Sequence, residues 1–454
     1  MNIVILGAGE IGSYLAKTLA DEEHNVIVID RDPQALERVG RIADVGKKLG
    51  SGTDWQLLES LLELSPDLFI ALSSQDETNL VACAMAKNLG FPKTVARVHH
   101  PSFLNRSRLD FARLFFVDHF IGTEMILAHD LFKSIMNPGC STILNFAHGA
   151  VQMRSIMINE KCTRTHCPLS ELNLPENLLI GLIHRKPAPG EDLSKARLIF
   201  PRGYDILLPG DEVTLIGEKK VMLQQGALFG IPHKQVRSAV IAGGTPVALQ
   251  VCQILEEEGI QVRLIEPDAT LCHALAKRLP RTTIFNQDPT DLNFLVAEKI
   301  PLSDVFVACF SSDENNILSA SIAKQAGCEE VIALLSEENY APLLRRLGIY
   351  YTLSERVSVS NRIHAILQEE SILSVASLYN NQAKILEVKV SESSELVGIP
   401  IAELSGYLPD DFLIALIENR GRIMIARGSN ILAPGDTVII LTHPKHIPEL
   451  QKIF

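Results

Sequence analysis

The sequence predicts an α/β protein in which two doubly wound domains alternate with two small α+β modules. Three observations support this prediction: a glycine turn between a strand and a helix at the N-terminus, an alternation of apolar strands and helices after it, and a return of the whole pattern in the second half. Two classes of segment that recur in the same order are typical of an internal duplication. We therefore expect four structural units in the 454-residue chain.

The composition narrows the functional class. A formal net charge of −12 argues against a nonspecific nucleic-acid partner. No apolar run approaches the ~18 residues that a membrane-spanning helix needs, and the N-terminus enters a strand without room for a signal peptide. The eight cysteines, mostly in apolar segments, are typical of reduced buried thiols. We expect a cytoplasmic protein, and any role at a membrane would have to be peripheral.

The N-terminal glycine turn is the strongest functional motif. An apolar strand over residues 2–6 runs into Gly7, Gly9 and Gly12, and a helical pattern follows over residues 13–19. In such a motif the first glycine permits a tight turn, the second lets the backbone approach a pyrophosphate, and the third lets the helix pack on the strand. The start of the helix offers free N–H groups to phosphate oxygens. The predicted phosphate loop consists of Gly7, Ala8, Gly9, Glu10, Ile11 and Gly12.

An acidic residue ends the second predicted strand. The apolar run over residues 26–29 stops at Asp30, which lies 23 positions after Gly7 (30 − 7). A carboxylate at this place accepts hydrogen bonds from ribose hydroxyls and repels a 2′-phosphate, which favours NAD, ATP or ADP over NADP. We interpret the neighbouring Arg31 as a solvated surface charge, although it would weaken this exclusion. The alternative to a nucleotide site is a chance glycine turn in an ordinary α/β unit.

Further candidate residues follow the other strands of the first domain. Ser73 and Ser74 come after a strand and Arg97 ends one, and the carboxyl ends of parallel strands meet at one ligand-binding edge. Arg97 could hold a phosphate or form a salt bridge to Asp54 or Asp76, and both alternatives stay open. The predicted elements after Asp30 are helices over 33–49 and 57–64, a strand over 68–72, a helix over 80–89, strands over 95–98 and 115–117, and a helix from Thr123, its N-cap, to Met136.

The pattern returns after a β-rich module that ends near Phe229. Gly243 repeats Gly7 and Glu266 repeats Asp30, each at a separation of 236 residues (243 − 7 and 266 − 30). A Pro-Gly-Asp turn within the module also returns, at a separation of 225 residues (434 − 209). The predicted units are Rossmann-like domains over residues 1–137 and 231–368 and small modules over residues 138–230 and 369–454.

The second copy has lost part of the loop chemistry. Thr245 stands at the middle-glycine position, where its side chain would crowd a pyrophosphate, and Pro246 removes a backbone donor at the helix start. Leu334 stands where the first copy has an arginine. Gly243 and Glu266 remain as candidate binding residues, and we expect nucleotide binding there to be weaker or absent.

With these motifs the chain resembles the TrkA family, the regulatory subunits of Trk-type bacterial potassium uptake. The matching residues are 7–12 with Asp30, 74–79, Arg97 and the two Pro-Gly-Asp-x-Val turns. The resemblance implies two RCK (KTN) nucleotide-binding domains, each followed by an RCK C-terminal module. It also implies a cytoplasmic, membrane-associated ring that binds NAD(H) or adenine nucleotides and gates a separate potassium-translocating membrane subunit. The segment 244–246 departs from the family's glycine-rich second site.

Transmission of ligand energy to a membrane subunit favours several coupled copies, and we expect a homotetramer with eight nucleotide-type domains. The helices predicted over residues 123–136 and 354–367 are candidates for contacts between lobes, through apolar residues such as Leu131 and Ile363. Their alternative is the core of their own domain, because helical periodicity cannot separate the two.

Two functional classes are compatible with a nucleotide site. One is a regulatory subunit without catalysis, and the other is an NAD-dependent oxidoreductase, which needs a substrate domain that presents an acid or base to the nicotinamide. The small modules lack clustered His, Lys or Cys and favour the first class. We expect no metal site, because residues 162–167 supply three candidate ligands where structural zinc takes four. His99 and His100 are interpreted as loop histidines.

Overall fold

The structure is a computed structural model of the chain. It describes residues 1–104, 109–160, 162, 164–185, 197–222, 229, 235–367, 372–379, 382–392, 394, 396–406, 411–419 and 421–454. The predicted boundaries at 230/231 and 368/369 lie outside these residues, as does Thr163 of the cysteine-containing segment. The predicted boundaries of all four units therefore stay predictions.

The first domain contains a six-stranded parallel sheet between two layers of helices. Its strands are β1 (Asn2–Leu6), β2 (Asn25–Asp30), β3 (Gly46–Leu49), β4 (Leu68–Ala71), β5 (Thr94–Val98) and β6 (His119–Gly122). Its helices are α1 (Glu10–Asp21), α2 (Pro33–Ile42), α3 (Trp55–Ser60), α4 (Asp76–Leu89), α5 (Phe111–Leu114) and α6 (Thr123–Ile135). The order β3-β2-β1-β4-β5-β6 reverses direction between β1 and β4, where doubly wound sheets bind their ligands.

Three predicted elements of this domain need correction. The helix predicted over 33–49 ends at Ile42, and residues 46–49 form the edge strand β3, because β2 supplies hydrogen-bond partners that a local pattern does not show. The strand predicted over 115–117 is wrong: the last strand is β6, and Phe116 has a φ of 53°. Thr123 is the first residue of α6, and Gly122 is the N-cap.

The first small module is an antiparallel sheet in the order β10-β9-β11-β8-β7. Its strands are β7 (Cys140–Phe146), β8 (Val151–Met157), β9 (Leu178–Arg185), β10 (Arg197–Ile199) and β11 (Glu212–Glu218), and helix α7 (Lys219–Met222) follows. The aspartate of the Pro-Gly-Asp turn, Asp211, is buried and binds the Arg185 guanidinium with both carboxylate oxygens, at 2.8 and 2.9 Å. This turn is therefore structural.

The second half repeats both architectures. The second domain has strands β12 (Ser238–Ala242), β13 (Gln261–Ile265), β14 (Thr283–Phe285), β15 (Val305–Ala308), β16 (Val331–Leu334) and β17 (Tyr351–Leu353). Its helices are α8 (Pro246–Glu257), α9 (Ala269–Ala276), α10 (Leu292–Ala297), α11 (Asp313–Ala326), α12 (Ala341–Arg346) and α13 (Glu355–Leu367). The second module has strands β18 (Ile372–Leu378), β19 (Ala383–Lys389), β20 (Phe412–Asn419), β21 (Arg422–Ile425) and β22 (Thr437–Thr442), with helix α14 (Ile447–Ile453). The sheet orders are β14-β13-β12-β15-β16-β17 and β18-β19-β22-β20-β21.

The two domains exchange their last helices. Helix α6 packs on α8, and its Leu127 and Leu131 belong to the apolar core of the second domain. Helix α13 packs on α1, and its Val359 and Ile363 belong to the core of the first domain. The helices predicted to lie between lobes thus join the two domains of one chain. A charge at Leu131 or Ile363, both fully buried, would enter this shared core, so its expected effect is on the stability of the chain itself.

The two small modules also pack on each other. Met153 and Leu182 of the first module share one apolar cluster with Ile385 and Leu441 of the second. At the closest point a side chain on Gly181 would overlap the Leu441 side chain, with a Cβ only 2.4 Å from Leu441 Cδ1. The chain is therefore held together by domain–domain and module–module contacts. Among the described residues, none of the helices combines the length and apolarity that crossing a bilayer requires.

Candidate functional site

The first glycine turn is closely packed at two of its three glycines. Gly7 has a φ of 107°, and a Cβ there would lie 3.0 Å from the Leu72 and Ser73 backbones. A Cβ on Gly12 would lie 1.9 Å from the Gly7 carbonyl oxygen. The Gly7 N–H donates to the Ile29 carbonyl at 2.8 Å and fixes the turn against β2. Gly7 and Gly12 are thus required by the fold, whatever the ligand.

Gly9 has a different role. It is the N-cap residue of α1, and a Cβ built on it meets no other atom within 4 Å. The space in front of the helix start is therefore open. The first N–H groups of the helix, among them those of Glu10 and Ile11, have no partner within the helix, and the helix dipole makes this end positive. This combination of open space and orphan donors suits phosphate oxygens.

The carboxylate of Asp30 lies directly beside the loop. One oxygen accepts a hydrogen bond from the Ala8 N–H at 2.6 Å, and the other accepts from the Asp32 N–H at 2.8 Å. An ionised carboxylate accepts more than two hydrogen bonds, so Asp30 can still receive ribose hydroxyls. Arg31 is exposed and its guanidinium donates to the Ser51 hydroxyl at 2.6 Å.

The carboxyl ends of β4 and β5 are joined by Asn79, which is not among the predicted site residues. Its fully buried amide accepts from the Ser73 N–H and hydroxyl, at 3.0 and 2.7 Å, and donates to the Arg97 carbonyl at 3.0 Å. Two candidate site residues, Ser73 and Arg97, are thereby held at neighbouring strand ends. The third, Ser74, is exposed one residue farther along the loop.

Asp76 fixes the loop that follows β5. Its carboxylate accepts from the N–H groups of His99 and His100 at 2.9 Å each and pairs with the His99 ring at 2.8 Å. Burial alone would raise the pKa of Asp76, but these hydrogen bonds outweigh it and lower the pKa. The same contact recurs in the second domain, where Asp313 accepts two backbone N–H groups after β16. The repeat of Asp76 at Asp313, 237 positions later (313 − 76), is a sequence signal for this role.

Arg97 does not form a salt bridge with Asp54 or Asp76. Its guanidinium lies 3.2 Å from a carboxylate oxygen of Glu355, the first residue of α13 in the second domain. The sequence could not supply this partner, because Glu355 lies 258 positions away in the chain. In the second domain Leu334 lies at the corresponding end of β16 and is buried.

The second loop keeps the backbone shape of the first but differs in its polar contacts. Gly243 has a φ of 105°, and the Gly244 N–H donates to the buried Glu266 carboxylate at 2.7 Å. The Thr245 hydroxyl caps the helix by accepting from the Ala248 N–H at 3.2 Å. A proline occupies the first helical position. The donors that serve a phosphate in the first loop are therefore capped or missing here.

A cavity of about 460 Å³ lies between the second loop and the first domain. Both domains contribute to its wall, which is largely apolar and includes His99, His100, Met125, Thr245, Leu249 and Leu271. The two histidines are thus loop residues that face this space.

The cysteine-containing segment belongs to the core of the first module. Cys162 is buried there, and Cys167 packs against the same apolar cluster. The eight cysteines are free thiols, seven of them buried. In the part of the chain that the structure describes, no group of three or more His, Cys, Asp or Glu side chains is arranged to hold a metal ion.

Comparisons with known proteins give the family. The sequence model of the TrkA-N domain matches residues 3–117 and again 239–355, and that of the TrkA-C domain matches residues 385–454. The chain is 29% identical over 462 residues to Trk system potassium uptake protein TrkA homolog 1 of Methanosarcina mazei, with 100% of both chains covered. It is 29% identical over 472 residues to Trk system potassium uptake protein TrkA of Haemophilus influenzae, covering 100% of this chain and 98% of that protein.

Solved structures share the fold. The GsuK RCK domain superposes with a TM-score of 0.60 at 17% identity, covering 100% of this chain and 94% of that one. The GsuK channel bound to NAD superposes with a TM-score of 0.60 at 17% identity, covering 100% of this chain and 78% of that one. Together the matched TrkA-N and TrkA-C segments span well over half of the sequence, and the chain therefore belongs to the TrkA family.

Proposed function

We propose that this protein is the regulatory subunit of a Trk-type potassium uptake system. It binds NAD(H), ATP or ADP at residues 7–12 and gates a separate membrane subunit that translocates potassium. The relatives named for Trk potassium uptake support this over the full chain length, and a channel of the same fold has been solved with NAD. The observation that carries the proposal is the open space at Gly9, beside the Asp30 carboxylate.

Each candidate residue has a proposed role in the first site. The start of α1 would hold the phosphates, Asp30 the ribose hydroxyls, and Ser73, Ser74 and Arg97 the neighbouring ribose or phosphate region. In this role the bound NAD or adenine nucleotide would take no part in a redox reaction. Its binding would only couple the nucleotide concentration to the state of the protein. Gly243 and Glu266 would form at most a weaker second site, since the Thr245 hydroxyl already caps the helix there.

The proposed assembly is a homotetramer on the cytoplasmic face of the plasma membrane, built from domains 1–137 and 231–368 and modules 138–230 and 369–454. A ligand shifts a conformational equilibrium only by its differential affinity for the two states, about 1–3 kcal/mol per site. Several coupled sites in a ring enlarge this shift. A monomer at concentrations where nucleotide binds tightly, measured by light scattering, would contradict this assembly.

The alternative function, an NAD-dependent oxidoreductase, needs a substrate domain facing the first loop. The element that packs on α1 is instead α13, a helix of the duplicated nucleotide-type domain. The relatives are named for potassium uptake, which also favours regulation over catalysis.

The deciding experiment measures potassium flux into vesicles that carry the membrane subunit, with the intact chain added and NADH, ATP or ADP varied. We expect the flux to change with nucleotide, and the change to disappear with Gly9→Val. The same nucleotides should bind without any hydride transfer. A potassium flux that does not change with nucleotide concentration, or turnover of NADH with a substrate, would refute the proposal.

A further inference from the structure

An unusual contact links the first nucleotide site to the second domain. The Arg97 guanidinium pairs with Glu355 at 3.2 Å, and the Arg97 side chain is 15% exposed. Its Nε atom is buried and, among the described residues, has no hydrogen-bond partner. Arginine has five N–H donors in a fork that matches phosphate geometry. The contact with Glu355 therefore leaves part of the binding capacity of Arg97 unused.

Arg97 is well placed to meet a ligand at the first loop. It lies on β5, two strands from the β1 strand that carries the glycine turn, which is a lateral distance of about 10 Å. The amide of Asn79 holds its backbone against Ser73, at the same sheet edge. An extended arginine side chain and a phosphate group can bridge this distance together.

Glu355 is the partner that the second domain contributes to this contact. It is half-buried at the start of α13, the helix whose Val359 and Ile363 enter the first domain's core. Burial raises the pKa of Glu355, Arg97 lowers it, and the nearby carboxylate of Glu124 raises it further. The charge of His99 and a hydrogen bond from Thr123 also lower the pKa, but burial outweighs these contributions, so Glu355 lies in a site that disfavours its charge.

Building on the proposed function, we propose that Glu355 is an internal competitor for Arg97. Without nucleotide its carboxylate neutralises Arg97, and a phosphate of the bound nucleotide takes its place. An arginine–phosphate pair can be bidentate, so phosphate is a strong rival to a single carboxylate oxygen. The displaced Glu355 then releases the start of α13, which passes the binding event to the second domain. The first site would accordingly select phosphorylated ligands that reach Arg97 over the bare nucleoside.

The second copy lacks both members of the pair. Leu334 lies at the end of β16, where the first copy has Arg97, and α6 begins with Thr123 where α13 begins with Glu355. The competition therefore acts on the first site alone, and it gives the two sites different consequences for the helices that join the domains.

The test is calorimetric titration of the full chain with ADP, NADH and adenosine. Glu355→Gln removes the competing charge and keeps the side-chain shape, so ADP binding should tighten about 3- to 10-fold while adenosine binding stays unchanged. Arg97→Gln should weaken ADP binding and abolish the effect of Glu355→Gln in the double variant. Glu337→Gln is the matched control, because Glu337 pairs with Arg356 at 3.4 Å and not with Arg97.

The outcomes separate this inference from the proposed function. If the wild-type protein binds neither ADP nor NADH, the proposed function and the competition at Arg97 are both refuted. If ADP binding is lost in Gly9→Val but is the same in Glu355→Gln as in wild type, only the competition is refuted. An equal change in ADP and adenosine affinity would indicate a general structural effect and would also overturn it. Hydrogen exchange gives a second readout: ADP, but not adenosine, should accelerate exchange in residues 355–359.

Discussion

The two glycine loops have the same backbone and different surfaces. Gly7 and Gly243 adopt nearly the same φ, 107° and 105°. In each copy the N–H of the next residue donates to an acidic side chain, which is Asp30 in the first copy and Glu266 in the second. The acid therefore braces the loop in both copies and does not by itself indicate a ligand. The N-cap position separates them, because Gly9 leaves the helix start open and Thr245 closes it with its own hydroxyl.

The far ends of the two phosphate-loop helices differ as well. Glu22, after α1, has a side chain that is 9% exposed and lies 3.1 Å from His364 and 2.7 Å from Lys384. This ion cluster joins the first domain, α13 and the second module. Its counterpart after α8, Glu258, is exposed. Helix α1, whose N-terminus is open, is thus also the helix whose C-terminus is joined by these polar contacts to α13 and the second module.

The largest expected effect follows from removing the Glu22 carboxylate from this cluster. Glu22→Gln leaves the buried Lys384 ammonium without its counter-charge, which costs about 3–5 kcal/mol when a buried pair loses one partner. Denaturant unfolding should show this loss. Glu258→Gln, the matched change in the other copy, should stay within about 0.5 kcal/mol because its side chain is exposed. Equal effects of the two substitutions would contradict the asymmetry.

The same cluster predicts a dependence on pH. Burial alone would raise the pKa of Glu22, but the hydrogen bonds and charges of His364 and Lys384 outweigh it and lower the pKa from 4.5 to about 2. A lowered pKa contributes stability that is present above the ordinary value and is lost as pH falls through the folded one. Wild type should therefore lose more stability between pH 4.5 and 2 than Glu22→Gln does. Parallel unfolding curves for the two proteins would argue against this.

The next effect concerns the ligand. Gly9→Val should weaken nucleotide binding about 100-fold, or by ~2.7 kcal/mol, because its side chain enters the space in front of the helix start. Folding should be unaffected, since a Cβ at Gly9 meets no atom within 4 Å. Calorimetry should also find one dominant site in wild type. Two equal sites, or full binding by the variant, would remove the functional difference between the loops.

A smaller effect is expected at Asp30. Asp30→Ala should weaken NAD and ADP binding about 10-fold, or by ~1.4 kcal/mol, and should reduce discrimination against NADP. Asp30→Asn is the control for the bracing of the loop, because its amide oxygen can still accept from the Ala8 N–H. Wild type that binds NADP as tightly as NAD would show that Asp30 has no role in ligand choice.

The smallest effect is at the closed loop. Thr245→Val keeps the side-chain volume and removes the helix cap, so stability should fall by about 1 kcal/mol. Nucleotide binding should stay as in wild type, which makes this variant the matched control for Gly9→Val. A change in nucleotide affinity would reveal a working second site. Gly244 is less suitable, because a Cβ there would press on Leu271 and Leu275 at 2.8 and 2.9 Å.

Local chemistry was sufficient to predict the four-unit architecture and the first loop. Strand periodicity, glycine spacing and the separation of 236 or 237 residues between the two domain copies are properties of neighbouring residues or of the duplication, and they are visible in the sequence alone. Polar contacts of Asp76 and Asn79 also had a signal, since both residues recur in the second copy at a separation of 237 (313 − 76 and 316 − 79). The edge strand β3 had no such signal in the sequence, because its pairing with β2 decides that residues 46–49 form a strand.

Only the tertiary structure decided which parts of the chain meet. The exchange of α6 and α13 depends on apolar faces that would fit their own domain equally well by periodicity. The pairing of Arg97 with Glu355, and of Glu22 with His364 and Lys384, joins residues hundreds of positions apart. A sequence specifies the charge of such residues but not their neighbours, because burial and Coulomb interaction depend on distance in space.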